Sequence, residues 1–397
     1  MMRTGILFSG LLLLAILGLF VTGCSDRGEP VRIGVIAELT GDMAAVGASC
    51  RRAAQMAADE INEGGGLLIN KKRHPVEIIL ADNGGKEERS AEAALNLICR
   101  HRVLAIVGPN VSRCVLPAAD MAEQNETLLI SPSSTSPRVT LDQKTGKPQK
   151  FVFRACFTDS FQGRFLAKFV LETLGLKKAA VLYNADSEYN RGIAHFFQDA
   201  YEKDGGKVVA FEAYQNGERH FDDQLGIITK AHPEILFLPN YYTEIPNQIQ
   251  QARKSGITVP VIGSDAWGNN ELLDQCGPDC ETCYMSSHYA IDAPTAAARK
   301  FVNNYQSRYN RIPDGVSALT YDAFGLLWEG LKVTGKPDRK KLRNAMAKMT
   351  HYEGVTGTMK FREGSGDPVK NAVILQIRDG QFTWFLDIKP EDSAVAF

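Results

Sequence analysis

Hydroxyls, amides and carboxylates stand directly after short apolar runs at four places in the chain. Gly108-Pro109-Asn110-Val111-Ser112 follows the run ending at Val107, and Ser131-Pro132-Ser133-Ser134-Thr135 follows the run ending at Ile130. Asn184-Ala185-Asp186-Ser187-Glu188-Tyr189 follows the run ending at Tyr183, and Gly263-Ser264-Asp265 follows the run ending at Ile262. Hydroxyls and the free N–H groups of a helix start can hold a carboxylate. A carboxylate such as Asp265, beside a Tyr ring, can hold an ammonium. Each segment alone also reads as a helix cap, because Ser, Thr and Asp satisfy the first N–H groups of a helix. Taken jointly, hydroxyls in one half of the chain and a carboxylate in the other describe a receptor for a zwitterion.

Catalytic patterns do not compete with this reading. Gly146-Lys147 and Gly335-Lys336 are each followed by Pro, where a phosphate loop needs Ser or Thr. There is no Gly-x-Ser-x-Gly elbow and no His-Glu-x-x-His pair. The His residues, such as His74, His195 and His232, lack ligand spacing. An enzyme would have to rely on a group such as His195 or Cys156 at a closed cleft. Cys276, Cys280 and Cys283 in CGPDCETC admit two readings. One is a loop-stapling disulfide within the cluster, and the other is a zinc site completed by His288. With Cys50, Cys99, Cys114 and Cys156 they make an odd number, so at least one is unpaired or bonded to another molecule.

The candidate groups are positioned by an alternating pattern. Val31 to Ala37, Val76 to Asp82, Val103 to Val107 and Thr127 to Ile130 read as buried parallel strands. Helices between them run from about Asp42 to Glu63, stopped by Gly64-Gly65-Gly66, then from Lys86 to Arg100 and from Val115 to Gln124. A polar stretch from Ser131 to Lys150 breaks the pattern. It restarts with a helix over Ser160 to Leu174 and strands at Ala179 to Tyr183, Lys207 to Ala213, Ile235 to Leu238 and Val259 to Gly263. Helices fill Ser187 to Lys203 and Glu244 to Ser255. Such βαβ repetition predicts two successive α/β lobes with parallel sheets. The tail carries helices near Thr295 to Tyr309, Ser317 to Val333 and Arg339 to Met349, then strands near Gly357, Ala372 and Gln381. It does not complete one sheet, so the chain is expected to cross between lobes more than once.

The chain has 397 residues, with 45 Lys+Arg against 46 Asp+Glu and a net charge of −1, which gives no basic footprint for nucleic acid. Arg3 precedes an apolar run from Gly5 to Gly23 that ends in Val21-Thr22-Gly23-Cys24. This is the layout of an export signal, residues 1–23. Its last four residues resemble a bacterial lipobox, which implies acylation of Cys24 and anchoring in the cell envelope, with 24–30 as a polar tether.

Eight stretches together resemble the solute-binding proteins of branched-chain amino acid (Leu/Ile/Val) ABC importers. They are IGVIAELTGDMAAVG, AADEINEGGGLLIN, AIVGPNVSRCVLPAADMAEQN, ISPSSTSP, VFRACFTDSFQG, DSEYNRG, NYYTEIPNQIQQAR and VIGSDAWGN. The resemblance implies the periplasmic binding protein type I fold, a Venus-flytrap of two doubly wound α/β lobes joined by three crossovers. Residues 31–155 plus 289–372 would form the N-terminal lobe, and 156–288 plus 373–397 the C-terminal lobe. It further implies that Ser112 binds a ligand carboxylate, with Ser133, Ser134 and Thr135 matching the family's Ala-Ala-Thr contact segment. Tyr189 and one of Tyr241 and Tyr242 match its two cleft tyrosines. Asp265 matches its ammonium-binding glutamate, one methylene shorter. Asn190 replaces a glycine, Val46 stands where branched-chain binders carry an aromatic ring, and a Gly in ADNGGKEE replaces an early disulfide Cys. Arg113 is either solvated or a contact for a second carboxylate. The implied protein is a monomer without cofactor that hands an amino acid or small carboxylate to an ABC permease and ATPase. The alternative is a ligand-sensing subunit of the same fold.

Overall fold

Val31–Ala37 (VRIGVIA) is buried along its whole length except Arg32, as the two-sided apolar run demands. It lies second in an all-parallel sheet ordered Val76–Asp82, Val31–Ala37, Ala105–Val107, Leu128–Ser131, Val152–Arg154. A second sheet has seven strands. Lys207–Tyr214, Lys178–Asn184, Ile235–Leu238, Val261–Gly263 and Tyr284–Ser287 run parallel, and Ala372–Arg378 and Gln381–Ile388 continue it antiparallel. This computed structural model describes residues 27–292, 295–362 and 364–390; the apolar run before Cys24, and Cys24 itself, lie outside them. Among the described residues, no helix is long and apolar enough to cross a membrane.

In both sheets the first parallel strand in chain order sits between the second and the third. The connections therefore leave in opposite directions on either side of it. This makes a crevice beyond the carboxyl ends of the first and third strands, where open α/β sheets bind ligands. In one sheet the crevice is bounded by the residues after Ala37 and Val107. In the other it is bounded by those after Asn184 and Leu238.

The chain passes between the two sheets near Ala155–Phe157, near His288–Ile291 and near Lys370–Ala372. The core of the first lobe depends on the return. Helix Ala44–Glu63 buries Cys50, Ala53, Ala54, Ala57 and Ala58. Small side chains let helix Gly315–Thr334 pack there through Leu319, Ala323, Phe324 and Leu327, in one cluster with Val31, Ile33 and Val35. Gly65 and Gly66 turn the chain out of Ala44–Glu63 at positive φ, a region open to glycine without strain.

Several elements differ from their sequence reading. Helix Ser112–Gln124 starts three residues before its expected onset, so Ser112 lies in its first turn. The helix expected over Ser160 to Leu174 is Asp159–Lys168, continued by a wider π turn at Phe169–Thr173. Strands Val152–Arg154 and Tyr284–Ser287 and helices Asp222–Lys230 and Asn270–Cys276 were not expected. The two strands are three and four residues long, too short to show a period. Cys276 and Cys280 form a disulfide while Cys283 is buried and reduced, which consumes two ligands of the zinc alternative. His288 stands away from that loop, at the cleft.

Gly263 ends strand Val261–Gly263 against Trp267, and a Cβ there would overlap the indole. Trp267 is fully buried and donates Nε1–H to the Leu238 carbonyl at 3.0 Å. Gly263→Ala is therefore expected to cost about 1–3 kcal/mol of stability, the usual range for overpacking. Urea unfolding measures this. An unchanged midpoint would show that the indole gives way freely.

Candidate functional site

Each crevice is laced by one buried polar side chain. In the first lobe it is Glu38, directly after strand Val31–Ala37 and fully buried. Its carboxylate accepts from the Asn110 and Val111 backbone N–H groups at 3.1 and 3.2 Å, and from Asn110 Nδ2 at 3.2 Å. These bonds hold the turn after Val107 so that Asn110, Val111 and Ser112 face the cleft. Ser133 donates to Asn110 Oδ1 at 3.3 Å, and Ser134 donates to Ser112 Oγ at 2.8 Å. Thr135 Oγ1 is buried facing the Asp159 carboxyl. The result is a cluster of neutral hydroxyls and amides, suited to an anionic oxygen.

In the second lobe the lacing residue is Asn240. Its Oδ1 accepts from the Asn184 backbone N–H and from Asn190 Nδ2, and its Nδ2 donates to the Leu182 carbonyl and to Gln248 Oε1. Asn190, which replaces the family glycine, thus ties the start of helix Glu188–Lys203 to the turn carrying Tyr241. The Tyr189 and Tyr241 rings lie 5.4 Å apart. Tyr189 donates to Asp265 Oδ1 at 2.6 Å. Gln162 supports Asp265 twice, donating Nε2–H to Oδ1 at 2.8 Å and accepting the Asp265 backbone N–H at 3.0 Å. His288 Nε2 lies 3.2 Å from Asp265 Oδ2.

The electrostatics are one-sided. The donors on Asp265 are Tyr189 and Gln162, both neutral, and His288, whose basicity burial lowers to about 4. At neutral pH its imidazole is uncharged. Asp159, fully buried at the start of helix Asp159–Lys168, has an unpartnered Oδ1. Burial, and then the charges of Asp265 and Glu188, hold its carboxyl well above the usual range despite Thr135 and Arg154. Arg154 is engaged elsewhere, in a 2.6 Å ion pair with Asp367. The cleft therefore offers buried acceptors for a cation that the protein does not itself supply there.

A cavity with about 60 Å³ of water-accessible space joins these parts. Ser112, Ser133, Thr135, Tyr189, Tyr241, Tyr242 and Asp265 line it. Ser134 stands behind Ser112 and does not. Met43, Val46, Val111 and Val316 make its apolar wall. The lobes touch where Ser136 donates to Glu188 Oε1 at 2.7 Å and Arg138 approaches it at 3.9 Å. At another point Asn270 Nδ2 donates to the Ile312 carbonyl at 3.2 Å. Arg113 turns back to the Gly85 carbonyl at 3.3 Å and leaves the cavity lining.

Sequence reasoning missed Glu38, Asp159, Gln162, Asn240 and His288. The signal available for Asp159 and Gln162 was the stretch FTDSFQG, read only as part of the resemblance. The enzyme reading loses its candidates. His195 is exposed against Tyr183 and Phe211, and burial pushes the Cys156 thiol up to about 12, far from the reactive thiolate.

Residues 30–381 match the family model described as periplasmic binding protein. The leucine-, isoleucine-, valine-, threonine-, and alanine-binding protein of Pseudomonas aeruginosa is 27% identical over 85% of this chain and 87% of its own length. The structure of a leucine binding protein from Thermotoga maritima superposes with a TM-score of 0.84, at 30% identity, covering 91% of this chain and 99% of that one. A branched-chain amino acid transporter substrate binding protein from Streptococcus pneumoniae, in complex with isoleucine, gives 0.81 at 31% identity, over 89% and 97% of the two chains.

A carboxyl whose folded value is raised binds more protons folded than unfolded between its ordinary and its raised value. It therefore weakens the fold as pH rises above the ordinary carboxyl value. Asp159→Asn removes that cost. We expect the variant to gain about 1–3 kcal/mol at pH 7.5 and to lose the gain toward pH 4, as followed by urea unfolding at both values. Equal stability at pH 7.5 would mean that Asp159 is held there without penalty.

Proposed function

The chain belongs to the periplasmic binding proteins, a family of solute-binding rather than catalytic proteins, and from that premise we propose that it captures an aliphatic α-amino acid for an ABC importer. The observation that carries the ligand class is the pairing of two poles in one cavity. Hydroxyls of Ser112, Ser133 and Thr135 stand on one lobe. On the other stands Asp265, held by Tyr189, Gln162 and His288, with Asp159 buried behind. A carboxylate on the hydroxyls and an ammonium on Asp265 would each find the partner that burial requires.

The side chain would then meet Met43, Val46, Val111 and Val316, all apolar and unbranched or β-branched. Asn110, Asn269, Tyr241 and Tyr242 line the same cavity beside that wall. Relatives that bind leucine, isoleucine, valine, threonine or alanine support the same class. Closure of the two lobes around the ligand would be a hinge motion, as in other periplasmic binding proteins. We further propose that acylated Cys24 tethers the mature chain to the cell envelope and that an ABC permease and ATPase receive the cargo.

Thermal shift of the purified mature chain against the twenty amino acids, small dicarboxylates and amides tests the class directly. A ligand bound only by the folded state raises the midpoint by mass action. We expect aliphatic amino acids alone to do so, with micromolar affinity of about −8 kcal/mol. A dicarboxylate or amide as the single stabiliser would overturn the assignment. For the bound amino acid, Asp265→Ala is expected to weaken calorimetric affinity by roughly 3–5 kcal/mol, the range for unpairing a buried charge. An unchanged Kd removes Asp265 from the ammonium. Replacing Cys24 by Ser should move the protein from the membrane to the soluble fraction of a native host; retention in the membrane would refute the tether.

A further inference from the structure

His288 occupies a position that the ligand poles alone do not explain. It follows strand Tyr284–Ser287, where the chain leaves the second sheet for the first lobe. Its ring is 5% exposed and stacks on Phe157, with centroids 3.8 Å apart and planes 30° from parallel. Phe157 stands at the first crossover and packs edge-on against Phe161 and Phe165. At the third crossover, Lys370 Nζ donates to the Ala155 carbonyl at 3.1 Å. The three passages between lobes are thus tied together within a few residues of one imidazole.

The proton on that imidazole is placed by its partner. An ionised carboxylate only accepts, so at 3.2 Å from Asp265 Oδ2 the Nε2 atom must be the donor. Nδ1, buried without a partner, is then a bare lone pair instead of an unsatisfied N–H. The consequence for Asp265 is specific. Tyr189 and Gln162 hold Oδ1 and His288 holds Oδ2, which pins the carboxylate plane from both sides. All three donors are neutral, so orientation is gained while the full negative charge is kept for the ligand.

We propose that His288 is a positioning residue for the ligand ammonium. Braced on Phe157, it donates Nε2–H to Asp265 and so sets that carboxylate from the interlobe crossovers. The proposal rests on the amino-acid reading above. A purely structural histidine would need only the stack. A positioning histidine needs the donor, and two substitutions separate these demands. His288→Phe keeps an aromatic ring against Phe157 and loses the donor. His288→Gln keeps an N–H at comparable reach and loses the stack.

The test uses the mature protein with L-valine as the probe, by calorimetry, together with nitrogen-15 NMR of the wild-type histidine. We expect His288→Phe to weaken L-valine about tenfold or more, the scale of a lost hydrogen bond to a charged group. His288→Gln should stay within about threefold, and the ring should show the Nε2–H tautomer at pH 7. Wild-type affinity in His288→Phe, an equal loss in both variants, or an Nδ1–H tautomer would each overturn the proposal. If the wild type binds another amino acid instead of L-valine, that amino acid takes its place in the same comparison. Failure of the wild type to bind any of the twenty would overturn the amino-acid reading, and the proposal with it. That outcome is distinct from a wild type that binds and a His288→Phe variant that binds equally well.

Discussion

A carboxylate held inside a closed cleft by neutral donors is the constraint on which the rest of this structure turns. Asp265 receives a phenol, an amide and an uncharged imidazole, none of which cancels its charge. Asp159, close enough to be raised by Asp265, lies deeper and is unpartnered at Oδ1. Two such groups are costly to bury, and a basic residue beside them would remove the cost. The nearest buried arginine, Arg154, is instead spent on Asp367 and on the Ser134 carbonyl. The fold thus keeps Asp265 in the cleft on neutral donors, while Arg154 is paired with Asp367. On the proposed function, stability given up there would be restored by a cationic ligand group, the pattern expected of a binding site in an otherwise consistent structure.

The two lobes solve the same geometric problem with different chemistry. Both sheets place the first strand between the second and third, so both have a crevice at their carboxyl edge. Glu38 organises one crevice by accepting from the backbone of Asn110 and Val111, and this turns Ser112 toward the cavity. Asn240 organises the other by accepting from Asn184 and Asn190 while donating to Leu182 and Gln248. A carboxylate suffices where only donors need satisfying. An amide is required where donors and acceptors converge from both sides.

Much of this frame was legible in the sequence, for identifiable reasons. Strand Ile235–Leu238 is fully apolar, and Val31–Ala37 is so apart from Arg32, because they are covered on both faces, and the Gly triplet after Glu63 marks a helix end. That Ser112, Ser133, Thr135, Tyr189 and Asp265 share one cavity was legible because residues after strand ends in such sheets face the crevice. What escaped are residues whose purpose is a partner far along the chain. Gln162 serves Asp265 across 103 positions, and Glu38 serves Asn110 across 72. Neither spacing leaves a local pattern. Ser134 was read as equal to its neighbours, yet alternation along the segment turns its hydroxyl behind Ser112. His288 was considered for the CGPDCETC loop because proximity in sequence suggested it. Strand Tyr284–Ser287 carries it away to the cleft.

Closure and recognition are joined through nearest neighbours in the chain. Thr135 lines the cavity, and Ser136, the next residue, donates across the cleft to Glu188. Glu188 in turn precedes Tyr189, which lines the same cavity and holds Asp265. The Ser136–Glu188 contact is thus one peptide unit from a cavity-lining residue on each side. The contact exists only when the lobes meet, so its free energy counts toward the closed, occupied state and not toward the stability of either lobe alone. Asn270 and the Ile312 carbonyl do the same at a second point, next to Asn269 and Gly268 in the cavity wall. Interlobe contacts in this cleft thus stand one residue away from the cavity lining. On the proposed function, substitutions at Ser136 or Glu188 would act on binding through closure, since the contact joins the lobes beside the cavity.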